Sequence, residues 1–225
     1  MKAVILAAGK GERMKPFTLT TPKPLLTIQG KAILDYIFEA LPAEVNEVIV
    51  VIGYLGEKIK NFLGDKYAGR RIHYVEGSEK GNAIGFLSCR PYLNEGERFL
   101  VMYGDEPQRK EEIEECLRKS FSVVCTQVPH PHLSGVALIE EGGRILEIVE
   151  KPQHPKSNWV AVGTMLVDTH IFDYEPKLHT NGEYHLSSML DKFVRDYPVY
   201  AVAGKRRPPL NSPDDLNWDM STYLA

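Results

Sequence analysis

The stretch of sequence that decides the fold is Leu6–Leu25, which reads LAAGKGERMKPFTLTTPKPL. It begins within the apolar run Ala3–Ala8, a pattern that predicts a short buried strand opening into a glycine-rich loop. Gly9 and Gly11 can take backbone angles that a side chain would forbid, so successive N–H groups can turn inward around a phosphate. The stretch therefore predicts an anion-binding loop at the end of the first strand.

The charge around this loop agrees with an anionic ligand. From Met1 to Leu25 five basic side chains face one acidic side chain, Glu12, although the whole chain carries a formal net charge of −3. Such a positive segment attracts negatively charged ligands. The five basic residues are Lys2, Lys10, Arg13, Lys15 and Lys23.

Length and composition limit the possible classes of protein. A chain of 225 residues, 43% hydrophobic and 25% charged, can bury one sizeable core, so we expect a single domain over residues 1–225. The three cysteines are widely spaced and predict neither a disulfide framework nor a zinc site. A pI near 6.2 gives no electrostatic footprint for nucleic acid.

No segment of the sequence predicts a membrane span or a secretory signal. The chain has no run of about eighteen apolar residues, and its apolar N-terminal stretch continues into the phosphate loop rather than into a cleavage site. We therefore expect a cytoplasmic protein that binds neither membrane nor nucleic acid.

Apolar periodicity predicts alternating strands and helices over the first half of the chain, which implies a parallel sheet with helices on its faces. We expect an α/β fold, Rossmann-like and doubly wound, with a mixed, mainly parallel sheet. Besides the first strand, the predicted strands are Val45–Ile52, Arg71–Val75, Phe99–Tyr103 and Ser122–Gln127, and the predicted helices are Ala32–Leu41, Leu55–Leu63, Asn82–Cys89 and Glu111–Lys119.

The pattern changes from Val128 onward, where several prolines break helices. A turn at Glu140–Gly143 predicts a hairpin between two strands. We expect residues 1–127 to bind a nucleotide and residues 128–225 to cover the acceptor. The strands predicted here are Gly135–Ile139, Arg144–Val149, Trp159–Val167 and Val199–Ala203, with helices near His185–Arg195 and after Pro213.

Two common phosphate loops do not fit the stretch Leu6–Leu25. A dinucleotide-binding loop needs Gly-x-Gly-x-x-Gly followed directly by a helix, whereas Met14 replaces the third glycine and Pro16 prevents an immediate long helix. A Walker loop, Gly-x-x-x-x-Gly-Lys-Ser/Thr, is absent from the sequence.

The stretch resembles the signature of the sugar-phosphate nucleotidyltransferase family. That signature runs Leu-Ala-Ala/Gly-Gly-x-Gly-x-Arg, then Pro-x-Thr, then Pro-Lys-Pro-Leu, and each part is present here at the family spacing. The chain is similar to glucose-1-phosphate thymidylyltransferases and mannose-1-phosphate guanylyltransferases. The resemblance implies attack of a sugar 1-phosphate on the α-phosphorus of a nucleoside triphosphate, with loss of pyrophosphate.

The resemblance also implies catalytic and nucleotide-binding residues. The transition state of this reaction gathers negative charge, so the site must supply cations and fixed donors. Arg13 matches the family arginine on the β- and γ-phosphates, and Lys23 matches the lysine near the α-phosphate. The nucleotide itself is expected on Leu6, Ala8, Gly9, Gly11, Glu76 and Gly81.

A magnesium site is implied at the end of the strand Phe99–Tyr103. Asp105 matches the family's Gly-Asp magnesium ligand, and hard divalent ions prefer oxygen ligands. The usual second aspartate, in Trp-x-Asp-x-Gly, is missing, and the segment Pro208–Leu216 takes its place. Some relatives use an asparagine there, which makes Asn211 the candidate second ligand. A helix-capping role for Asn211 or Ser212 is the alternative.

Glu76 is the candidate residue for contact with the base. Many thymidylyl- and uridylyltransferases have glutamine at this position. A glutamate can accept from both N1–H and the exocyclic amine of guanine, whereas it offers no donor to a uracil or thymine oxygen. The residue therefore favours guanine, although some uridylyltransferases of the family also carry glutamate.

The acceptor residues follow from matches in the second half. Glu150 and Lys151 match the Glu-Lys-Pro motif whose lysine meets the sugar phosphate, and Gly135 and Gly163 match glycines beside the sugar. His185 replaces the second glutamate of the motif Gly-Glu-x-Glu. It either donates to a sugar hydroxyl or caps the following helix, and the sugar stays unidentified.

Three functions are compatible with the sequence. The leading hypothesis is a magnesium-dependent enzyme that takes a nucleoside triphosphate and a sugar 1-phosphate, with homo-oligomers possible. The departures at the second metal aspartate and at His185 leave a non-catalytic nucleotide-sugar sensor as the rival. A cytidylyltransferase acting on a non-sugar phosphate is the third, and it would need an aromatic or acidic cage for a quaternary amine.

Overall fold

A computed structural model of the chain describes residues 1–205 and 210–224, so the segment Pro208–Leu216 begins outside the described residues. Strands and helices alternate through most of it. The strands are β1 (Lys2–Leu6), β2 (Thr27–Ile28), β3 (Lys31–Ala32), β4 (Glu47–Ile52), β5 (Lys66–Tyr67), β6 (Arg70–Glu76), β7 (Arg98–Tyr103), β8 (Phe121–Gln127), β9 (Gly135–Ile139), β10 (Ile145–Glu150), β11 (Trp159–Asp168) and β12 (Val199–Ala203). The α-helices are α1 (Ile33–Ala40), α2 (Gly56–Leu63), α3 (Asn82–Leu87), α4 (Lys110–Leu117), α5 (Leu186–Asp196) and α6 (Met220–Leu224).

A ten-stranded mixed sheet runs through both halves of the chain. Its main path is β10-β9-β11-β7-β1-β4-β6-β5, with β8 on β11 and β12 on β8. The core of the first half, β6-β4-β1-β7, is parallel throughout. Strand β11 is antiparallel to its neighbours β7, β8 and β9 and joins the two halves.

Helices cover both faces of this sheet, because successive side chains of a strand point to opposite faces. On β1, Ala3 and Ile5 belong to one apolar cluster, which includes residues of α1, α2, α4 and α6. Val4 and Leu6 belong to the other, with residues of α3 and α5. The predicted doubly wound, mainly parallel α/β fold is confirmed.

The predicted strands and helices are confirmed, with ends that differ by no more than two residues. The first strand ends at Leu6 rather than at Ala8, although the Ala7 N–H still donates to the Val51 carbonyl at 2.8 Å. The short hairpin β2–β3 was not predicted, because strands of two residues carry no periodicity. The element after Pro213 is a 3₁₀-helix, Pro213–Asn217. Among the described residues no helix has both the length and the apolar character needed to cross a membrane.

Candidate active site

The ends of the parallel strands form a crevice, as expected for an open α/β sheet. The strands β4, β6 and β7, which run parallel to β1, are each followed at once by a glycine. A Cβ on Gly77 would lie 2.3 Å from the Ala8 Cβ, and one on Gly104 would lie 2.9 Å from the Ala7 Cβ. Any larger residue would push the loops apart, so glycine at these positions lets the loops pack directly against the end of β1. The three glycines are Gly53, Gly77 and Gly104.

The loop after β1 is folded back on itself by its own side chains. Gly11 has a positive φ of 62°, and a Cβ there would lie 2.9 Å from the Thr18 side chain. The Thr18 hydroxyl donates to the Gly11 carbonyl at 2.9 Å. Arg13 lies on the exposed side of this loop and has no ion-pair or hydrogen-bond partner among the described residues. The loop is therefore compact, with the Arg13 guanidinium available to an anion.

Lys23 and Asp105 meet at the centre of the crevice. The Lys23 Nζ lies 2.7 Å from the Asp105 Oδ2, with side chains 10% and 40% exposed. The signature lysine and the predicted metal aspartate come from segments 82 residues apart. The structure thus brings together a buried cation and a partly exposed carboxylate at the ends of the parallel strands.

The donors near Asp105 suit a hard divalent ion that also binds substrate phosphates. Magnesium is usually held by one or two carboxylates together with phosphate oxygens rather than by a complete protein cage. Among the described residues no group of three or more His, Cys, Asp or Glu residues could hold a metal ion. The oxygens of Asp105 fit this pattern, and they would neutralise part of the ion's charge.

The second predicted ligand, Asn211, lies just before the 3₁₀-helix Pro213–Asn217. Ser212 occupies the cap position, and its backbone N–H and hydroxyl donate to Asp215 Oδ2 at 2.7 and 3.0 Å. The capping alternative thus applies to Ser212. The Asn211 backbone N–H also donates to Asp215, at 2.8 Å, while its side chain is exposed. Its role as a metal ligand stays a prediction.

Glu76 is the last residue of β6, beside the end of β4. Its carboxylate is exposed, and it lines a cavity of about 400 Å³ together with Gly53, Leu55 and Lys58. The predicted base-reading residue is therefore at the same sheet edge as the phosphate loop.

Gly81 lies at a seam between the two halves of the chain. With φ at 122°, a Cβ on Gly81 would meet the Tyr184 carbonyl oxygen at 2.3 Å. The Tyr184 N–H donates to the Lys80 carbonyl at 2.8 Å, and its carbonyl accepts from the Ala83 N–H at 3.1 Å. The nucleotide-side loop is thus joined directly to the segment that carries His185.

Four of the five predicted acceptor residues form one cluster. A Cβ on Gly135 would lie 3.3 Å from Glu150 Oε2. Glu150 Oε1 lies 3.7 Å from the Lys151 Nζ and 3.9 Å from His185 Nδ1. Lys151 has a positive φ of 43°, an uncommon conformation for a side chain of this type that is often found at functional sites.

His185 is the N-cap residue of α5, but its side chain makes no capping hydrogen bond. Its Nε2 lies instead 3.3 Å from Asn181 Oδ1 and 3.5 Å from Glu183 Oε2. Burial lowers the pKa of His185, in opposition to the nearby Glu150 carboxylate, which raises it. His185 thus occupies the cap position without capping the helix through its side chain, and the contact with a sugar hydroxyl stays a prediction.

Gly163, the fifth predicted acceptor residue, lies in an irregularity of β11 between Ala161 and Met165. Its φ is 62°, which favours glycine. Met165 pairs with Val101, so Gly163 lies near the end of β7, which precedes Asp105.

Three residues at this site were not found from the sequence. Tyr103, at the end of β7, hydrogen-bonds to Asn82 and is influenced electrostatically by the carboxylates of Glu150, Glu106 and Asp105. Burial, followed by these carboxylates, raises the pKa of Tyr103. The Ser187 hydroxyl is buried and has no hydrogen-bond partner in the part of the chain that the structure describes. The Ser187 Cβ lies 3.8 Å from the position that a Cβ on Gly135 would take.

Asn82 and Ser187 carry no signal of their own in the sequence, because an asparagine or serine at the start of a helix is expected as a cap. Asn82 Oδ1 instead accepts from the Leu186 N–H of α5, at 2.8 Å. For Tyr103 the sequence offers one signal of a place in the site: the residue directly precedes the Gly-Asp pair.

These features are those of an α/β protein with an anion-binding loop and a charged crevice at its strand ends. The sequence pattern of the nucleotidyl transferase family matches residues 2–207, and the chain belongs to this family, in its sugar-phosphate branch.

Curated relatives cover most of the chain. It is 32% identical to the UTP–glucose-1-phosphate uridylyltransferase AglF of Haloferax volcanii, over 87% of this chain and 84% of that relative. It is 31% identical to the bifunctional protein GlmU of Methanocaldococcus jannaschii, over 90% of this chain and 49% of that protein. It is 32% identical to a glucose-1-phosphate thymidylyltransferase of Streptomyces griseus, over 80% of this chain and 50% of that enzyme. The chain thus spans about half the length of several of the curated relatives that it matches.

The fold agrees with a solved structure of a UDP-glucose pyrophosphorylase complexed with UDP-glucose. The TM-score is 0.83 at 23% identity, over 96% of this chain and 95% of the other. At this identity the likeness supports the fold alone.

Proposed function

We propose that this chain transfers a nucleotidyl group from a nucleoside triphosphate to a sugar 1-phosphate, releasing pyrophosphate, with magnesium as the cofactor. The observation that carries the proposal is the seam between the two halves, where the backbone of Tyr184, next to His185, hydrogen-bonds to residues on both sides of Gly81. The two sets of residues therefore converge, as a reaction between two bound substrates requires. Residues 1–127 would bind the triphosphate and residues 128–225 the acceptor.

Each charged group has a part in this reaction that follows from its place. The folded loop after β1 presents N–H groups and Arg13 to the β- and γ-phosphates, a bidentate contact that suits a guanidinium. Lys23 neutralises charge that develops at the α-phosphate, and Lys151 holds the attacking sugar phosphate. A divalent ion bound by Asp105, with Asn211, would supply further charge neutralisation to the phosphates. Because Lys23 is held by Asp105 before substrate arrives, this cation needs little reorganisation in the transition state.

Polar groups in and beside the acceptor cluster can form hydrogen bonds to the hydroxyls of the sugar. The unpartnered Ser187 hydroxyl is the strongest candidate, since leaving it buried without a partner costs free energy that a ligand would recover. His185, held neutral by its burial, can donate from one ring nitrogen and accept at the other.

For the base, the Glu76 carboxylate supports guanine on chemical grounds, because it can accept two N–H bonds and donate none. Relatives whose names state a base name uridine or thymidine instead. The exposed position of Glu76, at the rim of its cavity, suits an edge-on contact with any of these bases. The guanylyl preference is therefore the part of this proposal that a substrate screen decides first.

The rival function, a nucleotide-sugar sensor, has two sequence observations in its favour, the missing second metal aspartate and the replacement by His185. A sensor has no need for an arginine reserved for β- and γ-phosphates, and Arg13 is free for such a contact. We therefore favour the enzyme. The cytidylyltransferase alternative has no comparable support.

A pyrophosphate-release screen tests the proposal. The four ribonucleoside triphosphates and dTTP are each incubated with a panel of sugar 1-phosphates, with and without Mg²⁺. We expect release that needs both substrates and the ion, and that is strongest with GTP if Glu76 reads guanine. Binding of nucleotide sugars without release from any pair would favour the sensor.

A further inference from the structure

The segment directly after Asp105 is buried although it belongs to no helix or strand. Pro107, Gln108 and Arg109 are buried, and they connect the end of β7 to the start of α4. A buried segment of this kind must satisfy its backbone polar groups with side chains, because no ladder supplies partners. The Gln108 Nε2 donates to the Glu106 carbonyl at 2.9 Å, and the Tyr223 hydroxyl donates to the Pro107 carbonyl at 3.1 Å. The course of this segment thus depends on side chains.

Gln108 is itself oriented by a residue of β11. The Thr164 hydroxyl donates to Gln108 Oε1 at 2.9 Å, and the two residues are 0% and 1% exposed. With its oxygen taken by Thr164, the amide presents its NH₂ group to the Glu106 carbonyl. Gly163, with its positive φ, directly precedes Thr164 in the irregular part of β11. Such irregularities commonly redirect a side chain next to a functional site.

We propose that Thr164 and Gln108 are positioning residues for Asp105. The Thr164 hydroxyl fixes the Gln108 amide, the amide fixes the Glu106 carbonyl, and that carbonyl fixes the Glu106–Pro107 peptide, one residue after Asp105. On its other side the Asp105 carboxylate is held by Lys23, at 2.7 Å. Both positioning residues are too buried to touch substrate, so they act only through the Asp105 loop. The inference rests on the proposed function, in which Asp105 binds a divalent ion with the triphosphate.

Variants at Thr164 separate positioning from general stability. Thr164→Val removes the hydroxyl and keeps the shape, whereas Thr164→Ser keeps the hydroxyl. Ser122→Ala is the matched control, because Ser122 is also 0% exposed and its hydroxyl donates to the Cys116 carbonyl at 3.1 Å, away from the site. Thr164→Val and Ser122→Ala should therefore lower thermal stability by similar amounts.

The measurement is a titration of the full chain with Mn²⁺ and a saturating nucleoside triphosphate, followed by electron paramagnetic resonance. Partners of metal ligands are typically worth about 10- to 100-fold in metal affinity, so we expect Thr164→Val to weaken Mn²⁺ binding by roughly tenfold. Thr164→Ser and Ser122→Ala should stay near wild type. In steady-state assays the kcat of Thr164→Val should fall while the KM for sugar 1-phosphate is unchanged.

A second variant, Gln108→Met, removes the amide and keeps an unbranched side chain of similar length. It should weaken Mn²⁺ binding as Thr164→Val does, and the double variant should be no weaker than either one, because both act through one carbonyl. Equal Mn²⁺ affinity of Thr164→Val and Ser122→Ala would overturn the positioning role. A wild-type chain that binds Mn²⁺ and triphosphate but transfers nothing would instead overturn the proposed function, and a chain that binds no Mn²⁺ would overturn both.

Discussion

The nucleotide side and the acceptor side of this molecule are built in different ways. On the nucleotide side four parallel strands end together, and much of the site is backbone, since glycines follow three of these strands. On the acceptor side the strands are antiparallel, and the site is a cluster of residues from β9, the end of β10 and the start of α5. The first depends on a local motif that the sequence keeps intact, whereas the second depends on separate residues that can change one at a time. Departures from the family pattern accordingly include His185 on the acceptor side.

The largest effect should come from the nucleotide side. Asp105→Ala should lower turnover by roughly 10²–10³-fold without unfolding the protein, because it removes a charge-neutralising ligand from a partly exposed position. The check is pyrophosphate release with Mg²⁺, alongside a thermal melt. Asp173→Ala, at another exposed aspartate, is the control. More than about a tenth of wild-type turnover, a loss under 1.4 kcal/mol, would rule out the assignment.

Arg13→Lys should weaken ligand binding on the nucleotide side and leave the acceptor side unchanged. A point charge cannot reproduce a forked contact, so triphosphate affinity should fall by the worth of one charge-assisted hydrogen bond, about 1.5–3 kcal/mol. Calorimetry should show almost unchanged affinity for the sugar 1-phosphate. Arg71→Lys, at the opposite end of β6 from Glu76, is a matched substitution that should change neither ligand. Equal weakening of both ligands would contradict the role of Arg13.

Glu76→Gln should sharpen the comparison at the base. If the carboxylate reads guanine, the preference for GTP over dTTP should drop about tenfold, because 1.4 kcal/mol is tenfold in an equilibrium. The ratio of kcat/KM values measures it, with the exposed Glu44→Gln as control. A wild-type enzyme that already prefers dTTP or UTP would contradict the prediction that Glu76 reads guanine.

The smallest effect should come from the acceptor side, at His185. Because burial lowers its pKa, the folded protein holds fewer protons here than the unfolded chain at mildly acidic pH, and the neutral ring is lost only as pH falls through that lowered pKa. The KM for sugar 1-phosphate should therefore rise at acidic pH in the wild type by about threefold more than in His185→Gln, as for one neutral hydrogen bond. The difference between the two enzymes cancels the titration of the sugar phosphate itself. Identical pH profiles would show that His185 does not contact the sugar, and His170→Gln serves as control.

Much of the fold could be predicted from the sequence because strand and helix periodicity is local. The strand ends and the phosphate loop could be predicted for the same reason, since a glycine-rich loop directly after β1 needs no distant contact. The pairing of Lys23 with Asp105 could be expected only from the family signature, because it joins segments 82 residues apart. Asn82 and Ser187 could not be found, since their contacts arise where α5 packs against α3 and β9, which only tertiary packing creates. The capping role of Ser212 rather than Asn211 likewise depends on the position of Asp215.

The most direct measurement of the central claim is exchange of radiolabelled pyrophosphate into nucleoside triphosphate, with the nucleotide sugar that the substrate screen identifies. If the two sides meet at one α-phosphate, label should enter the triphosphate only when the nucleotide sugar and Mg²⁺ are both present, and Asp105→Ala should abolish it. Tight binding of the nucleotide sugar by the wild-type chain without any entry of label would contradict the account.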